Sequence, residues 1–426
     1  MIKLASRSAA VVLAGSALAL AAGLLPAQAA TSGWRVETTV TIRGSQTLLT
    51  DVAASSPADA WAIGFAAKTK GTSPARTIIK HWTGRTWRRV ALPAKIGREC
   101  ARQDAIFFEV GAVSARNVWA FDLTGGYLRL DGSRWTVGQL PGESNESGAL
   151  VLIDAVNVFS RTDVWAFGVR ISASATVQAY SAHYDGRNWS KVTVPGSGLI
   201  TAVAAVSSHD IWAVETSLLP PPPSAAAHSA VARSAVAASP AARLAVARLG
   251  AARLRAAASA AAPTVVLHWT AKTGWRDAAQ QPNLAATDQL VSAVAEPNGD
   301  VWFGGSANNT ANGTSPLTAE WNGTAWSVKD LPGKASSAAW QLVVMEPDGT
   351  GGIWAIAADN NSDAERIWHL RGARWSQARP VSGKHQWELE ALALVPHTHS
   401  VWGVGAVVAG KSRADGLITV DGPLPR

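Results

Sequence analysis

The fold is decided by residues 51–93, DVAASSPADAWAIGFAAKTKGTSPARTIIKHWTGRTWRRVALP, because altered copies of this stretch recur six more times before the C-terminus. A hydrophobic strand over residues 48–54 meets a polar turn, and an alternating strand through Trp61, Ile63 and Phe65 follows. A Gly/Ser/Pro-rich loop and a two-strand hairpin through Thr83 and Gly84 complete the repeat. Four short strands recurring about every 50 residues predict an all-β, seven-bladed β-propeller with four strands per blade.

Fourteen of the twenty tryptophans occupy two repeating positions. The first position lies in the second strand of each repeat, and its members are Trp61, Trp119, Trp165, Trp212, Trp302, Trp354 and Trp402, with glycine following at Gly64, Gly168, Gly304 and Gly405. The second position ends each hairpin, and its members are Trp87, Trp135, Trp189, Trp275, Trp326 and Trp375. Trp34 supplies the seventh member near the N-terminus, so we expect the N-terminal strand to complete the last blade and close the ring.

These fourteen indoles are expected to pack between blades rather than to stack on sugars. A buried indole removes about 150 to 250 Å² from water, and propeller blades pack face to face around a tapered axis. A large aromatic side chain at one place in every blade therefore suits the blade interface.

Residues 1–29 have the pattern of a secretory signal peptide. Lys3 and Arg7 form a basic start, residues 9–25 are apolar, and Ala27-Gln28-Ala29 is a small-x-small cleavage site. An uncleaved membrane anchor is the alternative interpretation. We expect a secreted, extracellular, monomeric protein of residues 30–426 without a transmembrane segment. Cys100, the only cysteine, excludes an internal disulfide and is expected to be a loop or core thiol rather than a nucleophile.

The formal charge of +8 does not describe the folded body. Two basic residues leave with the signal, and five arginines lie in residues 217–263, which contain no acid, so the remainder is 8 − 2 − 5 = +1. A nearly neutral body gives no electrostatic support for nucleic-acid binding. Residues 217–263 interrupt the propeller as a Pro/Ala/Arg-rich, low-complexity insertion. A disordered loop is favoured there over a cationic arm that touches an anionic cell-surface polymer.

The repeats resemble the kelch type of propeller repeat and its galactose-oxidase-like relatives. The resemblance rests on the segments VWAFG and DVWFGG, and on HYDGRNWSKVTVP and EWNGTAWSVKDLP. It rests also on a six-residue spacing between Trp and Pro, which first occurs between Trp87 and Pro93 and recurs in later repeats. The repeats also look like those of uncharacterised propeller proteins secreted by high-GC actinobacteria. This resemblance implies the fold but no activity. The tyrosyl-cysteine copper chemistry of galactose oxidase is not implied, because Tyr127, Tyr180, Tyr184 and Cys100 form no matching motif.

Two groups of polar residues are candidate ligand sites. The first is a ring near the start of the innermost strands, formed by Asp51, Glu109, Asp154, Thr201, Ser292 and Glu390. It would suit a cationic ligand or calcium, although strand-capping carboxylates explain it as well. The second group combines two polar loops with two extra tryptophans, and it would suit carbohydrate hydroxyls unless the loops are simple turns; its members are Asn308, Asn309, Asn360, Asn361, Trp340 and Trp387.

Catalysis has little support in the sequence. His81, His183, His268 and His369 recur at one place in successive repeats, so they should be too far apart to share a zinc ion. No serine-nucleophile elbow, zinc-protease motif or phosphate loop is present. The sequence therefore favours a non-catalytic binding or interaction scaffold without a cofactor, whose partner is an extracellular glycan or protein. The alternative is a propeller-fold glycoside hydrolase or polysaccharide lyase that uses paired carboxylates of the ring.

Overall fold

Seven four-stranded antiparallel sheets, each one blade, account for nearly all of the chain that the structure describes. The structure, a computed structural model, describes residues 33–69, 75–102, 105–142, 150–172, 176–216, 264–309, 313–331, 339–359, 362, 364–372, 374–378, 386–409 and 413–424. The predicted all-β, seven-bladed propeller with four strands per blade is confirmed. The predicted signal peptide and the insertion at residues 217–263 lie outside the described residues.

The strands follow one another in chain order, four to a blade. The first strand is β1 (Arg35–Val40). Blade 1 contains β2 (Ser45–Ser56), β3 (Asp59–Lys68), β4 (Arg76–Trp82) and β5 (Trp87–Arg89), and helix α1 (Ala94–Arg102) follows it. Blade 2 contains β6 (Phe107–Ser114), β7 (Asn117–Asp122), β8 (Gly126–Asp131) and β9 (Arg134–Gln139). Blade 3 contains β10 (Leu150–Ser160), β11 (Asp163–Ile171), β12 (Val177–Tyr184) and β13 (Trp189–Val192).

The remaining four blades keep the same order. Blade 4 contains β14 (Leu199–Ser207), β15 (Asp210–Thr216), β16 (Thr264–Thr270) and β17 (Gly274–Asp277). Blade 5 contains β18 (Gln289–Ala295), β19 (Val301–Asn309), β20 (Gly313–Trp321) and β21 (Trp326–Asp330). Blade 6 contains β22 (Trp340–Pro347), β23 (Ile353–Asp359), β24 (Glu365–Arg371) and β25 (Arg374–Gln377). Blade 7 contains β26 (Gln386–Leu394), β27 (Val401–Ala409), β28 (Arg413–Asp421) and β1.

The ring closes through the N-terminal strand, as the sequence predicts. β1 pairs antiparallel with β28, with Arg35 opposite Val420. The Arg35 guanidinium donates a hydrogen bond to the carbonyl of Gly422. The hydroxyl of Thr47 in blade 1 donates to the Val40 carbonyl at 2.6 Å, so the closing strand is also tied to the blade that follows it.

The antiparallel order of each blade sorts its connections to two ends. Turns between strands 1 and 2 and between strands 3 and 4 lie at one end. Connections between strands 2 and 3, and those leading to the next blade, lie at the other end, which we call the connection face. Helix α1 belongs to the connection face because it joins β5 to β6. Thr216 and Thr264, which flank residues 217–263, are paired across β15 and β16. Within the described residues, no helix is long and apolar enough to cross a membrane.

The two tryptophan positions meet at the blade interfaces. The hairpin tryptophan of one blade packs against the second-strand tryptophan of the preceding blade, with ring centroids 5.1 to 6.3 Å apart in five of these pairs. The other two pairs, Trp165 with Trp275 and Trp302 with Trp375, share hydrophobic clusters. The packing interpretation of these residues is therefore confirmed.

Every innermost strand carries a bulge at the same place. The register shifts at Thr50, Phe108, Asp154, Thr201, Val291, Val343 and Glu390. A glycine stands opposite the bulge in four blades because a Cβ there would come within 1.7 to 2.1 Å of an inner-strand carbonyl. In blade 5 this glycine is Gly305, so the sequence-based assignment of Gly304 to the position was wrong by one residue.

Candidate functional site

A central channel of about 590 Å³ is the candidate site. All seven innermost strands contribute residues to its wall, as expected for the axis of a propeller. Ser362, Ala364 and Glu365, which lie where β23 connects to β24, line it as well, so the channel reaches the connection face. Its volume falls within the usual range of small-molecule and side-chain binding pockets, about 300 to 1,000 Å³.

The channel brings the first predicted group together. Its wall includes Asp51, Glu109, Asp154, Thr201, Ser292 and Glu390. The inner-strand bulge determines which residues of each strand line the channel. Asp154, Thr201 and Glu390 are the bulged residues themselves. Asp51, Glu109 and Ser292 follow one residue after the bulge in their strands. Two successive residues can therefore reach the channel in each strand.

Three members of this group connect neighbouring blades. Asp51 Oδ2 accepts a hydrogen bond from the Val110 N–H at 2.6 Å, and its Oδ1 accepts one from the Val52 N–H at 2.8 Å. The Thr201 hydroxyl donates to the Leu290 carbonyl at 3.0 Å. In the same way, the Ser292 hydroxyl donates to the carbonyl of Leu342, in the inner strand of blade 6, at 2.9 Å. These three side chains therefore satisfy backbone groups of the inner strands, which is the structural role that the sequence left open as the alternative to ligand binding.

Two further carboxylates of the channel wall, and a third between blades 6 and 7, were missed in the sequence. Glu365 and Glu388 line the channel, and Glu365 also accepts the Leu389 N–H at 2.8 Å. Glu346 accepts the Leu394 N–H at 2.7 Å and so ties blade 6 to blade 7. Alternation could have identified Glu388, because residues two apart in a strand share a face. Nothing in the sequence singled out the other two.

The channel is acidic. Its wall carries the carboxylates of Asp51, Glu109, Asp154, Glu365, Glu388 and Glu390. Among the described residues that line it there is no lysine, arginine or histidine. Desolvation in the wall raises the pKa of Asp51 to about 7, although the two backbone N–H groups act in the opposite direction. The potential of such a cavity favours positive charge and hydrogen-bond donors.

The calcium expectation finds no ready-made cage. Across the described ranges, no three His, Cys, Asp or Glu side chains are arranged to hold a metal ion. A calcium ion takes six to eight oxygen ligands at about 2.3 to 2.6 Å, so carbonyl, hydroxyl or water oxygens would have to supply most of them in this channel.

The second predicted group is not assembled as an exposed platform. Trp340 is 7% exposed, and the Arg366 guanidinium lies 4.1 Å from the centroid of its ring. Trp387 is half-buried and packs against the hydrophobic cluster that contains Trp354. Asn308 and Asn309 end β19, opposite Thr314 and Gly313. Asn360 and Asn361 lie outside the described residues. A sugar-stacking role for Trp340 is therefore not supported, because its ring faces are already covered.

The four repeated histidines are structural. Each ring stacks on the second-strand tryptophan of its own blade, at centroid distances of 3.7 to 4.5 Å. Each Nε2 is hydrogen bonded to an aspartate of the same blade at 2.6 to 2.9 Å. In three blades this aspartate stands two residues before the tryptophan, and the D-x-W pattern could have revealed it. The expectation that these histidines are repeat features is confirmed.

Cys100 is buried at the interface between blades 1 and 2. Desolvation raises the pKa of its thiol to about 11, which keeps the thiol protonated at neutral pH. The thiolate that nucleophilic chemistry requires is therefore scarce, in agreement with the core-thiol interpretation.

The fold and the channel define a seven-bladed β-propeller with an acidic axial cavity. No protein-family model and no curated protein matches the chain. Similar solved structures include YCF48 bound to D1 peptide, at 13% identity and a TM-score of 0.49, covering 90% of this chain and 94% of that one. The WD40 propeller domain of Doa1 is 8% identical, with a TM-score of 0.47 and coverages of 91% and 97%. A mutant Aleuria aurantia lectin in complex with α-methyl-L-fucoside is 10% identical, with a TM-score of 0.39 and coverages of 81% and 97%. Similarity at this level transfers no function to this chain.

Proposed function

We propose that this protein is a secreted, non-catalytic binding module that holds a glycan or protein ligand at the mouth of its channel, outside the cell. The acidic channel carries this proposal. It is a cavity of suitable size, it reaches the connection face, and it offers acceptor oxygens without a basic side chain among the described lining residues.

The lining narrows the chemistry of the ligand. Carboxylates accept hydrogen bonds from sugar hydroxyls and attract ammonium or guanidinium groups. A neutral glycan or a protein segment with a lysine or arginine side chain fits this channel, whereas an anionic group would be repelled from it. We therefore propose that one of these two enters the channel.

The kelch-type relationship and secretion belong to the same proposal. Kelch-type repeats are supported by the glycine that faces the inner-strand bulge in four blades and by the recurrent Trp-to-Pro spacing. Secretion is supported by the signal-like pattern of residues 1–29. Export of the native protein, followed by N-terminal sequencing, tests this part, and we expect a mature chain that begins near Ala30.

A propeller-fold glycoside hydrolase or polysaccharide lyase is the second candidate. It is favoured by one observation, the convergence of several carboxylates in one cavity. Asp51 is a poor candidate for the acid of such a pair, since both of its oxygens already accept backbone N–H groups. The other five carboxylates of the channel wall would then have to supply the acid and its partner: Glu109, Asp154, Glu365, Glu388 and Glu390.

Thermal unfolding of the mature protein tests the proposed function. Neutral polysaccharide fragments and Lys- or Arg-containing peptides are added one at a time, because a ligand of the native state raises the melting temperature by mass action. We expect at least one ligand to raise it, and the shift to be lost in Glu388→Gln/Glu390→Gln. The matched control, Asp277→Asn/Asp330→Asn, changes two exposed acids on outer strands and should keep the shift.

Two outcomes decide between the candidates. A ligand that is converted by the wild-type chain, with loss of turnover in the Glu388/Glu390 variant, would replace the binding module with the enzyme. Equal shifts in the channel variant and in the control would contradict the channel as the ligand site.

A further inference from the structure

Helix α1 carries a row of basic residues that the channel does not explain. Lys95, Arg98 and Arg102 are exposed and stand at positions i, i+3 and i+7. At 3.6 residues per turn these positions lie within about 60° of one another, and they span roughly 10 Å along the helix. The three charges therefore form one straight row.

The opposite side of the helix fixes its orientation. Cys100 is buried, and Ile96 packs against the same cluster between blades 1 and 2. These two side chains point about 150° away from the middle of the basic row. The row consequently faces solvent from a helix that is held firmly against the propeller.

Two more cations of blade 1 extend this surface. Lys68 ends β3 and Arg76 begins β4, both on the connection face, and both are exposed. The Thr77 hydroxyl donates to the Ala105 carbonyl at 3.4 Å, which places the start of β4 beside the end of the helix. We call these five residues the blade 1 basic surface: Lys68, Arg76, Lys95, Arg98 and Arg102.

Among the described residues around this surface, the acids leave its charge largely uncompensated. Glu99 is half-buried on the side of the helix, and Asp122 is buried beneath it, near Cys100. In the part of the chain that the structure describes, no carboxylate forms an ion pair with Lys95, Arg98 or Arg102. Like charges held in a row on a rigid element repel one another, and an external anion relieves that repulsion.

We propose that the blade 1 basic surface binds an acidic polysaccharide, with α1 lying along the polymer chain. A linear polymer with regularly spaced carboxylates complements a straight row of cations, and the guanidinium fork of arginine pairs with a carboxylate through two hydrogen bonds. This site is separate from the channel and does not depend on the channel having a ligand.

Two other anionic partners fit less well. A membrane-binding amphipathic helix needs an apolar side free for the lipid, and the apolar side of α1 is packed against the blades. A nucleic acid is best attracted by a strongly basic protein, and the body of this chain carries a formal charge of only 8 − 2 − 5 = +1.

Affinity electrophoresis of the mature chain in gels that contain polygalacturonate, run at low and at high ionic strength, tests this site. We expect binding that weakens as salt is added, and no binding to neutral dextran. The triple Gln variant (Lys95→Gln, Arg98→Gln, Arg102→Gln) should weaken polygalacturonate binding by about tenfold or more. Each cation near an anionic surface contributes to the binding free energy, and this variant removes three of them. The corresponding triple Glu variant should abolish it, and the Gln variant keeps the test valid if the Glu variant unfolds.

The control reverses three exposed charges at the opposite end of the blades. Arg187→Glu, Lys272→Glu and Arg374→Glu change the net charge by the same amount as the Glu variant. Retained binding in this control supports the site, and an equal loss overturns it, because net charge alone would then explain binding. Binding to polyphosphate without binding to polygalacturonate also overturns it. Glu388→Gln/Glu390→Gln should leave polygalacturonate binding intact, which separates this inference from the channel proposal.

Discussion

Asp51 and Val110 join the innermost strands of two adjacent blades, with the carboxylate Oδ2 2.6 Å from the backbone nitrogen. Glu346 and Leu394 repeat this relationship between blades 6 and 7, at 2.7 Å. Desolvation raises the pKa of Glu346 to about 8, the Leu394 N–H lowers it, and the nearby charge of Asp51 raises it further. Carboxyl groups that ionise near neutral pH thus take part in contacts between blades.

Stability should fall as the pH rises from mildly acidic to mildly basic. Unfolding returns the two carboxyls from pKa values of about 7 and about 8 to their ordinary 3.8 and 4.5. Between these limits the folded state holds more protons than the unfolded state, so a higher pH lowers the free energy of unfolding. Urea unfolding at several pH values from about 5 to about 8 measures this change, and we expect the midpoint to move to lower urea.

Glu346→Gln provides the control for this pH effect. Glutamine keeps a carbonyl oxygen for the Leu394 N–H but cannot ionise. The variant should therefore lose less stability than the wild type over the same pH range. An identical pH profile in both proteins would show that Glu346 does not contribute to the effect.

Trp402→Ala should destabilise the propeller by about 3 to 5 kcal/mol, because it removes a fully buried indole. Trp402 contacts both Trp82 and Trp87 across the seam between blades 7 and 1. Denaturant unfolding gives the change in free energy. Val206→Ala, at a side chain that is 37% exposed, should change it by less than about 0.5 kcal/mol. Comparable effects of the two substitutions would contradict the role of the indole in blade packing.

Removal of residues 33–40 should open the ring. It exposes the backbone edge of β28 and the face of Trp354 that Trp34 covers at a centroid distance of 5.4 Å. Limited proteolysis should then cleave blade 7 rapidly, whereas a chain that starts at Gly33 should resist. Adding a peptide of residues 33–40 should restore resistance, and the same peptide with Trp34→Ala should do so less well. A resistant truncated chain would show that β1 is dispensable.

The architecture could be predicted because each blade repeats its signal. Trp61 and Trp87 have counterparts in every blade, so the repeat can be recognised despite irregular loops. Because the last repeat lacks its hairpin tryptophan, the N-terminal segment with Trp34 could be assigned to blade 7. Among the described residues, helix α1 has no counterpart in the other blades, and its short sequence between Pro93 and Phe107 gave no repeated signal.

The channel lining could be predicted only in part, because a bulge changes the alternation by one residue. Asp154 is the bulged residue of its strand, whereas Asp51 is the residue after the bulge, yet both reach the channel. Periodicity alone treats neighbouring residues as facing opposite sides. The partners of Glu346 and Glu365 belong to other blades, so no pattern within one repeat could reveal them.

The pairing of β1 with β28 also determines which blade can be completed last during folding. The strand that completes blade 7 is made first among the described strands, and its partner is made last. Blades 1 to 6 can form from the N-terminal part of the chain alone, but the final sheet must wait for the C-terminal strand β28. Until then a tryptophan-rich blade face stays accessible to proteases and chaperones. A chain that ends before β28 therefore remains susceptible to proteolysis and chaperone binding, however well its other blades have folded.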